Sequence, residues 1–250
     1  MRKTNLLAAF LGLTLALHPD SSAADRTRYK DKDWNESFVE SCGLHRPNSI
    51  QRVTLEGDQK LQVTLQRGDI GQCSTDNKAR HRAPFWERAE VSQSNSFRTG
   101  HRYRISAEVT FLQGFTGDRE TFFQIHGWAT DCTKAYPPVM MKFRNGKLTI
   151  ETLRGASASH PGNHRNALRK KILVTSLYGK PLTLALEFDT RTQPGKLSVS
   201  LSDSELISDA PVSFAPCAIP HIKFGIYRPG GQGSQTSQVL FDDLQVTKTK

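Results

Sequence analysis

Along most of the chain, apolar and polar residues alternate one by one. In RVTLEGDQKLQVTLQ (52–66), Val53 and Leu55 sit between polar neighbours, and so do Leu61, Val63 and Leu65. A period of two marks a half-buried strand. Gly57-Asp58 interrupts the pattern and predicts a hairpin. MMKFRNGKLTIETL (140–153) repeats it, with Asn145-Gly146 as a two-residue turn that tolerates positive φ. The same alternation predicts strands at WERAEVS (86–92), RYRISAEVTFL (102–112), TFFQIHGW (121–128), PLTLALEFD (181–189), KLSVSLSD (196–203), HIKFGIYR (221–228) and QVLFDDLQVT (238–247). No long segment carries a helical apolar period. HRNALRKKILV (164–174) has room for one helical turn. About ten to twelve short strands with turns between them predict an all-β chain: a two-sheet β-sandwich jelly roll with a concave groove. Two long loops, RGDIGQCSTDNKARHRAP (67–84) and the basic RGASASHPGNHRNALRK (154–170), are expected to border that groove.

The N-terminus departs from the pattern. Arg2 and Lys3 precede an apolar run from Leu6 to Leu17, and small residues follow at Ser21-Ser22-Ala23-Ala24. That order predicts a signal peptide over 1–23, cleaved near Ala23 or Ala24, leaving 24–250 as a single domain. The run is too short to cross a bilayer, and no later stretch is apolar enough. The expected location is the periplasm or the exterior. Four cysteines, Cys42, Cys73, Cys132 and Cys217, fall after the predicted cleavage point. An even number in an oxidising compartment predicts disulfides. Of the possible pairings, Cys42–Cys73 with Cys132–Cys217 is favoured. The first would sit near the N-terminal strands and the second would tie loops near one site. The net charge of +10 over 250 residues suits a polyanionic partner, though a soluble basic surface explains it equally well.

Three strands carry polar groups in an unusual place. In TFFQIHGW, Phe123 and Ile125 share one face, and Phe122, Gln124 and His126 the other. In WERAEV, Arg88 and Glu90 lie opposite Ala89 and Val91. In IKFGIYR, Lys223, Gly225 and Tyr227 lie opposite Phe224 and Ile226. If these polar faces line one sheet, they form a surface of guanidinium, amide, imidazole, ammonium and phenol. That inventory suits β-elimination on a uronic-acid polysaccharide. Removing the C5 proton of a uronate builds charge on its carboxylate, which donors such as Arg, Gln, His or Lys must neutralise. A base must take the proton and an acid must protonate the leaving oxygen. A tyrosine flanked by cations gains access to its phenolate, and a histidine serves as base or carboxylate partner. Such chemistry needs no metal or organic cofactor.

Arg88-Ala89-Glu90-Val91, Gln124-Ile125-His126 and Lys223-Phe224-Gly225-Ile226-Tyr227, in this order, resemble the jelly-roll polysaccharide lyases: the alginate lyases, glucuronan lyases and heparin lyase I group. Alginate lyases of this type carry an Arg-(Thr or Ser)-Glu-Leu-Arg strand, a Gln-Ile-His strand and a Tyr-Phe-Lys-Ala-Gly-x-Tyr strand. The Lys-Phe-Gly-Ile-Tyr-Arg version is closer to the glucuronan and heparin lyase I-like branch. The resemblance implies a lyase in which Tyr227 is the acid, or both acid and base, His126 is the base or a carboxylate partner, and Gln124 and Arg88 neutralise the carboxylate. It has Lys223 bind substrate or tune Tyr227, and Glu90 orient Arg88 beside the substrate. Lys142 and Arg144, on the hairpin beside the proposed face, with Trp128 and Arg228, are further candidates for substrate binding, not implied by the resemblance. Ala89 and Ser92 replace the Thr or Ser and the second Arg of the alginate type, which argues against alginate itself. The implied partner is an acidic polysaccharide, glucuronan-, alginate- or heparin-like, rather than nucleic acid or membrane, bound by a monomer.

Other readings compete residue by residue. Tyr227 also reads as a half-buried strand aromatic, Lys223 as edge protection, and Arg88–Glu90 as a surface pair of little energy. A jelly roll could equally be a non-catalytic module for acidic glycans. A glycoside hydrolase would need two acids on one inward face, and Glu90 alone is not a pair. The chain has eight histidines, but no HxH or HExxH spacing predicts a metal, and no GxSxG predicts a serine hydrolase.

Overall fold

In the computed structural model, which describes residues 28–29, 34–79, 83–94, 97–127, 136–156, 163–215, 219–231 and 236–249, the alternating segments are strands. In chain order they are β1 (Arg28–Tyr29), β2 (Phe38–Glu40), β3 (Ile50–Leu55), β4 (Asp58–Gln66), β5 (Trp86–Gln93), β6 (Arg102–Phe111), β7 (Glu120–His126) and β8 (Val139–Arg144). They continue with β9 (Lys147–Arg154), β10 (Asn163–Leu173), β11 (Leu182–Asp189), β12 (Gly195–Leu201), β13 (Ser204–Val212), β14 (His221–Pro229) and β15 (Thr236–Thr249). Two short 3-10 turns, Pro47–Ser49 and Val174–Ser176, are the other regular elements among the described residues. The predicted signal segment 1–23 and the Cys132–Cys217 pair lie outside the described residues. Cys42 and Cys73 form the expected disulfide.

The strands form two antiparallel sheets. One is ordered β1-β2-β5-β14-β7-β8-β9-β10 and the other β13-β12-β11-β6-β15-β4-β3. This is the two-sheet jelly roll that the alternation predicts. Both predicted hairpins form. Asn145 (φ 51°) and Gly146 (φ 72°) make the β8–β9 turn. The β3–β4 turn falls one residue earlier than expected, on Glu56 (φ 54°) and Gly57 (φ 85°). Positive φ at both central residues matches the twist of the flanking strands.

The inner faces meet in one apolar core. Phe111 is at its centre, with Phe115, Phe122 and Phe143 around it at 5.0, 5.1 and 5.1 Å between ring centroids, all edge-on. Each such pair adds about 0.5–1.5 kcal/mol beyond the burial of its area. Phe122 corrects the simple alternation. The β7–β8 register slips between Thr121 and Phe123, so Phe122 and Phe123 both turn into the core. A bulge of this kind inserts one residue and re-aims its neighbours.

Four further elements differ from expectation. Residues 163–173 form strand β10 at the edge of the first sheet, not a helical turn. Pairing to β9 decides their conformation. β13, β1 and β2 lack the length or alternation that would announce them.

Burial separates the two sheets. In the second, β11 and β12 alternate cleanly between buried and exposed or half-buried positions along their whole length. In the first sheet, β14 is buried at every position after His221, and β5 and β7 nearly so. Their outward face is therefore not an ordinary solvated surface.

Candidate active site

β5, β14 and β7 are neighbours although they come from distant parts of the chain. Along β14, Tyr227 lies opposite Arg88 on β5 and Thr121 on β7. Lys223 lies opposite Ser92 and Gln124, and His221 opposite His126. Directly paired residues share a face, so Arg88, Glu90, Gln124, His126, Lys223 and Tyr227 stand together on the outward side. Gly225 makes this packing possible. Its φ is +134°, and a Cβ there would collide with the Ala89 carbonyl oxygen and lie 2.8 Å from the Glu90 Cα. The β14–β7 register slips at the same place, and the floor between Lys223 and Tyr227 carries no side chain.

These polar groups are deeply recessed: Glu90 is 0% exposed, Gln124 3%, Arg88 6%, and Lys223 and Tyr227 8% each. Buried polar groups need partners, and a chain of hydrogen bonds supplies them. Arg88 Nε and Nη2 donate to the two oxygens of Asp76 at 2.8 and 2.9 Å, and Nη1 donates to Glu90. The other Glu90 oxygen accepts from Gln124 Nε2 at 2.6 Å. The Arg88 guanidinium carbon is 4.2 Å from the Tyr227 ring centroid. Trp86 stacks on Tyr227 at 4.9 Å and 22°. Burial works against the charge of Arg88, but Glu90 and Asp76 outweigh it and keep the guanidinium firmly protonated. An arginine paired with two carboxylates organises its surroundings: Glu90 is the partner expected from the sequence, and Asp76 is a second one.

His126 is held well below the usual imidazole range, first by burial and then by the charges of Lys223, His221 and Arg88. The His221 ring lies 5.3 Å away and is also pushed down by burial, with Lys223 adding to it. Both rings are neutral at neutral pH. A neutral imidazole beside an amide and an ammonium can accept a proton while those two hold a carboxylate. At the other end of the face, a phenol under a guanidinium can release one.

The remaining candidates divide. Lys142 is on the same face, opposite Thr121, and pairs with Glu151 at 2.6 Å. Arg144 is exposed on the last position of β8. Trp128 lies outside the described residues. Arg228 is the correction. It follows Tyr227 and therefore points the opposite way, into the space between the sheets, where it is fully buried. Nε donates to Glu87 at 2.5 Å, and Nη1 to Glu120 at 2.7 Å and Ser237 at 2.8 Å. It holds strands together and does not reach the outward face. Trp86 and His221 were missed, although period two from Arg88 and Lys223 places them on the right face. Asp76, in the first of the two long loops, gives no periodic signal. No group of three or more His, Cys, Asp or Glu among the described residues could hold a metal ion.

A family model described as polysaccharide lyase matches residues 25–245. The chain belongs to the polysaccharide lyase family. No curated protein matches this lyase in sequence. Solved structures share its fold. A family 7 alginate lyase, A1-II′, crystallised with a product, superposes with TM-score 0.56 at 14% identity, covering 82% of this chain and 85% of that one. Alginate lyase PA1167 from Pseudomonas aeruginosa gives 0.54 at 18%, covering 82% and 87%. Alginate lyase vAL-1 from Chlorella virus gives 0.52 at 13%, covering 80% and 89%.

Proposed function

We propose that this polysaccharide lyase cleaves an acidic, uronate-containing polysaccharide by β-elimination, and that the outward face of β5, β14 and β7 is where it does so. The observation that carries this is the guanidinium 4.2 Å from the Tyr227 ring on the same face as a neutral histidine, an amide and a lysine. The alginate lyases that share the fold act on a polyuronate, which supports the substrate class. In this reading Gln124 and Lys223 hold the uronate carboxylate and stabilise charge as it develops. His126 takes the C5 proton, the electron pair forms the C4–C5 double bond, and the C4–O bond breaks. Tyr227 gives its proton to the departing oxygen. The imidazolium and phenolate then return to their starting states by exchange with water. Arg88 stabilises the negative charge appearing on Tyr227.

The test is to incubate purified protein with glucuronan, alginate, heparin and hyaluronan and follow the ultraviolet absorbance of the unsaturated uronate. Tyr227→Phe and His126→Ala should each lower kcat by about 100-fold or more, the range for general acid–base groups. A variant that keeps full activity removes that residue from the mechanism. Salt-sensitive binding with no product on any of the four would favour a glycan-binding module instead. We also place the protein outside the cytoplasm, supported by the charged and apolar order of residues 1–23 and by the Cys42–Cys73 disulfide. Finding the full-length chain in the cytoplasm would oppose that.

A further inference from the structure

Asp76 belongs to none of the three strands, yet it is fully buried and grips Arg88 with both oxygens. A two-point contact fixes the plane of a guanidinium as well as its position. That plane matters here, because the same group lies against the Tyr227 ring. Asp76 is itself held tightly. The Cys73 amide donates to its Oδ2 at 3.3 Å, its own amide donates to the Cys73 carbonyl at 2.8 Å, and the Trp86 amide donates to its carbonyl at 2.7 Å. Cys73 is in turn bonded to Cys42. Gly71 lets the loop come this close. A Cβ there would run into the Asp76 carboxylate and lie 2.7 Å from the Arg88 Cβ.

We propose that Asp76 is a positioning residue of the lyase site, locking the Arg88 guanidinium against Tyr227, and that the Cys42–Cys73 disulfide holds Asp76 in place. The inference rests on the reading of Tyr227 as the acid. Once Tyr227 has given up its proton, a preorganised cation stabilises the phenolate without having to move. Asp76 touches no substrate in this scheme and acts only through Arg88.

Asp76→Asn keeps the size of the side chain and removes its charge. It should lower kcat by about 10- to 100-fold, as loss of a supporting partner does, with KM little changed. The limb of the pH–rate profile that follows Tyr227 should move to lower pH, because the guanidinium beside the phenol is then less neutralised. The near-ultraviolet circular dichroism of the Trp86–Tyr227 stack should change. Cys42→Ser with Cys73→Ser leaves Asp76 and Arg88 intact, so it should shift kcat and the spectrum the same way by less. A folded Asp76→Asn protein with wild-type kcat and an unmoved limb overturns the proposal. Should Asp76→Asn fail to fold, the double serine variant decides, and unchanged kcat and spectrum there overturn it. Should the wild type make no unsaturated product, the acid role of Tyr227 falls by itself. The spectrum of Asp76→Asn still answers, and no change in it overturns the positioning role.

Discussion

Gly225 occupies the floor of the site and the contact between β14 and β5 at once. Any side chain there must displace the β5 backbone at Ala89 and Glu90 and adopt a φ of +134° that only glycine takes without strain. Gly225→Ala should therefore cost about 1–3 kcal/mol of stability, read as a lower urea midpoint. It should also lower kcat by shifting Glu90, the carboxylate shared by Arg88 and Gln124. Gln124, His126, Lys223 and Tyr227 were legible as a set because strand side chains alternate by backbone geometry alone. Phe122 was not, since a bulge is created by the partner strand's register and leaves no mark in the local pattern. Arg228 follows Tyr227 directly, so strict alternation puts it on the opposite, inward face.

At the scale of elements, the β5–β14 pair carries charge on both faces. Outward are Arg88 and Tyr227; directly behind them, inward, Arg228 pairs with Glu87 in the same register. Glu120 on β7 and Ser237 on β15 complete the inner cluster, which thus ties both sheets together beneath the site. Buried ion pairs are costly to desolvate but worse to break. Arg228→Met strands two buried carboxylates and should cost about 3–5 kcal/mol, measured by denaturant unfolding. Replacing Arg228, Glu87 and Glu120 together with apolar residues of similar size should restore most of that stability. Should Arg228→Met unfold like the wild type, the cluster is not what joins the sheets here. Activity in the triple variant would then show how far the inner cluster sets the outer geometry. β10 belongs to this scale too: its basic stretch looks like a loop by composition, and only its ladder with β9 makes it a strand.

For the molecule as a whole, the two half-buried histidines of the site set the acid limit. In the fold His126 and His221 are harder to protonate than free imidazoles, whereas in the unfolded chain they take up protons below about pH 6.5. The unfolded state then binds more protons, so stability falls as the pH drops through that value. Asp242 acts the other way. Burial first, with the nearby Asp58 adding to it, pushes its carboxyl up to about 6. Its fold gains a proton before the unfolded chain does, which opposes the loss. Two imidazoles pushed down outweigh one carboxyl pushed up, and the urea midpoint should be lower at pH 5 than at pH 7.5. His126→Asn should flatten that dependence; an unaltered slope would mean that the imidazole charges in place.

Periodicity, turn residues and the number of cysteines were enough to indicate an all-β sandwich, the polar face of each site strand and the presence of disulfides, because each follows from short-range geometry or from simple counting; that Cys42 pairs with Cys73, favoured among three pairings, was decided by the fold. Which strands stand side by side, where a register slips, that a loop aspartate reaches Arg88, and that Arg228 faces inward all came from the folded chain. Those features depend on contacts between residues far apart in sequence, and such contacts impose no pattern on the stretch of chain around either partner.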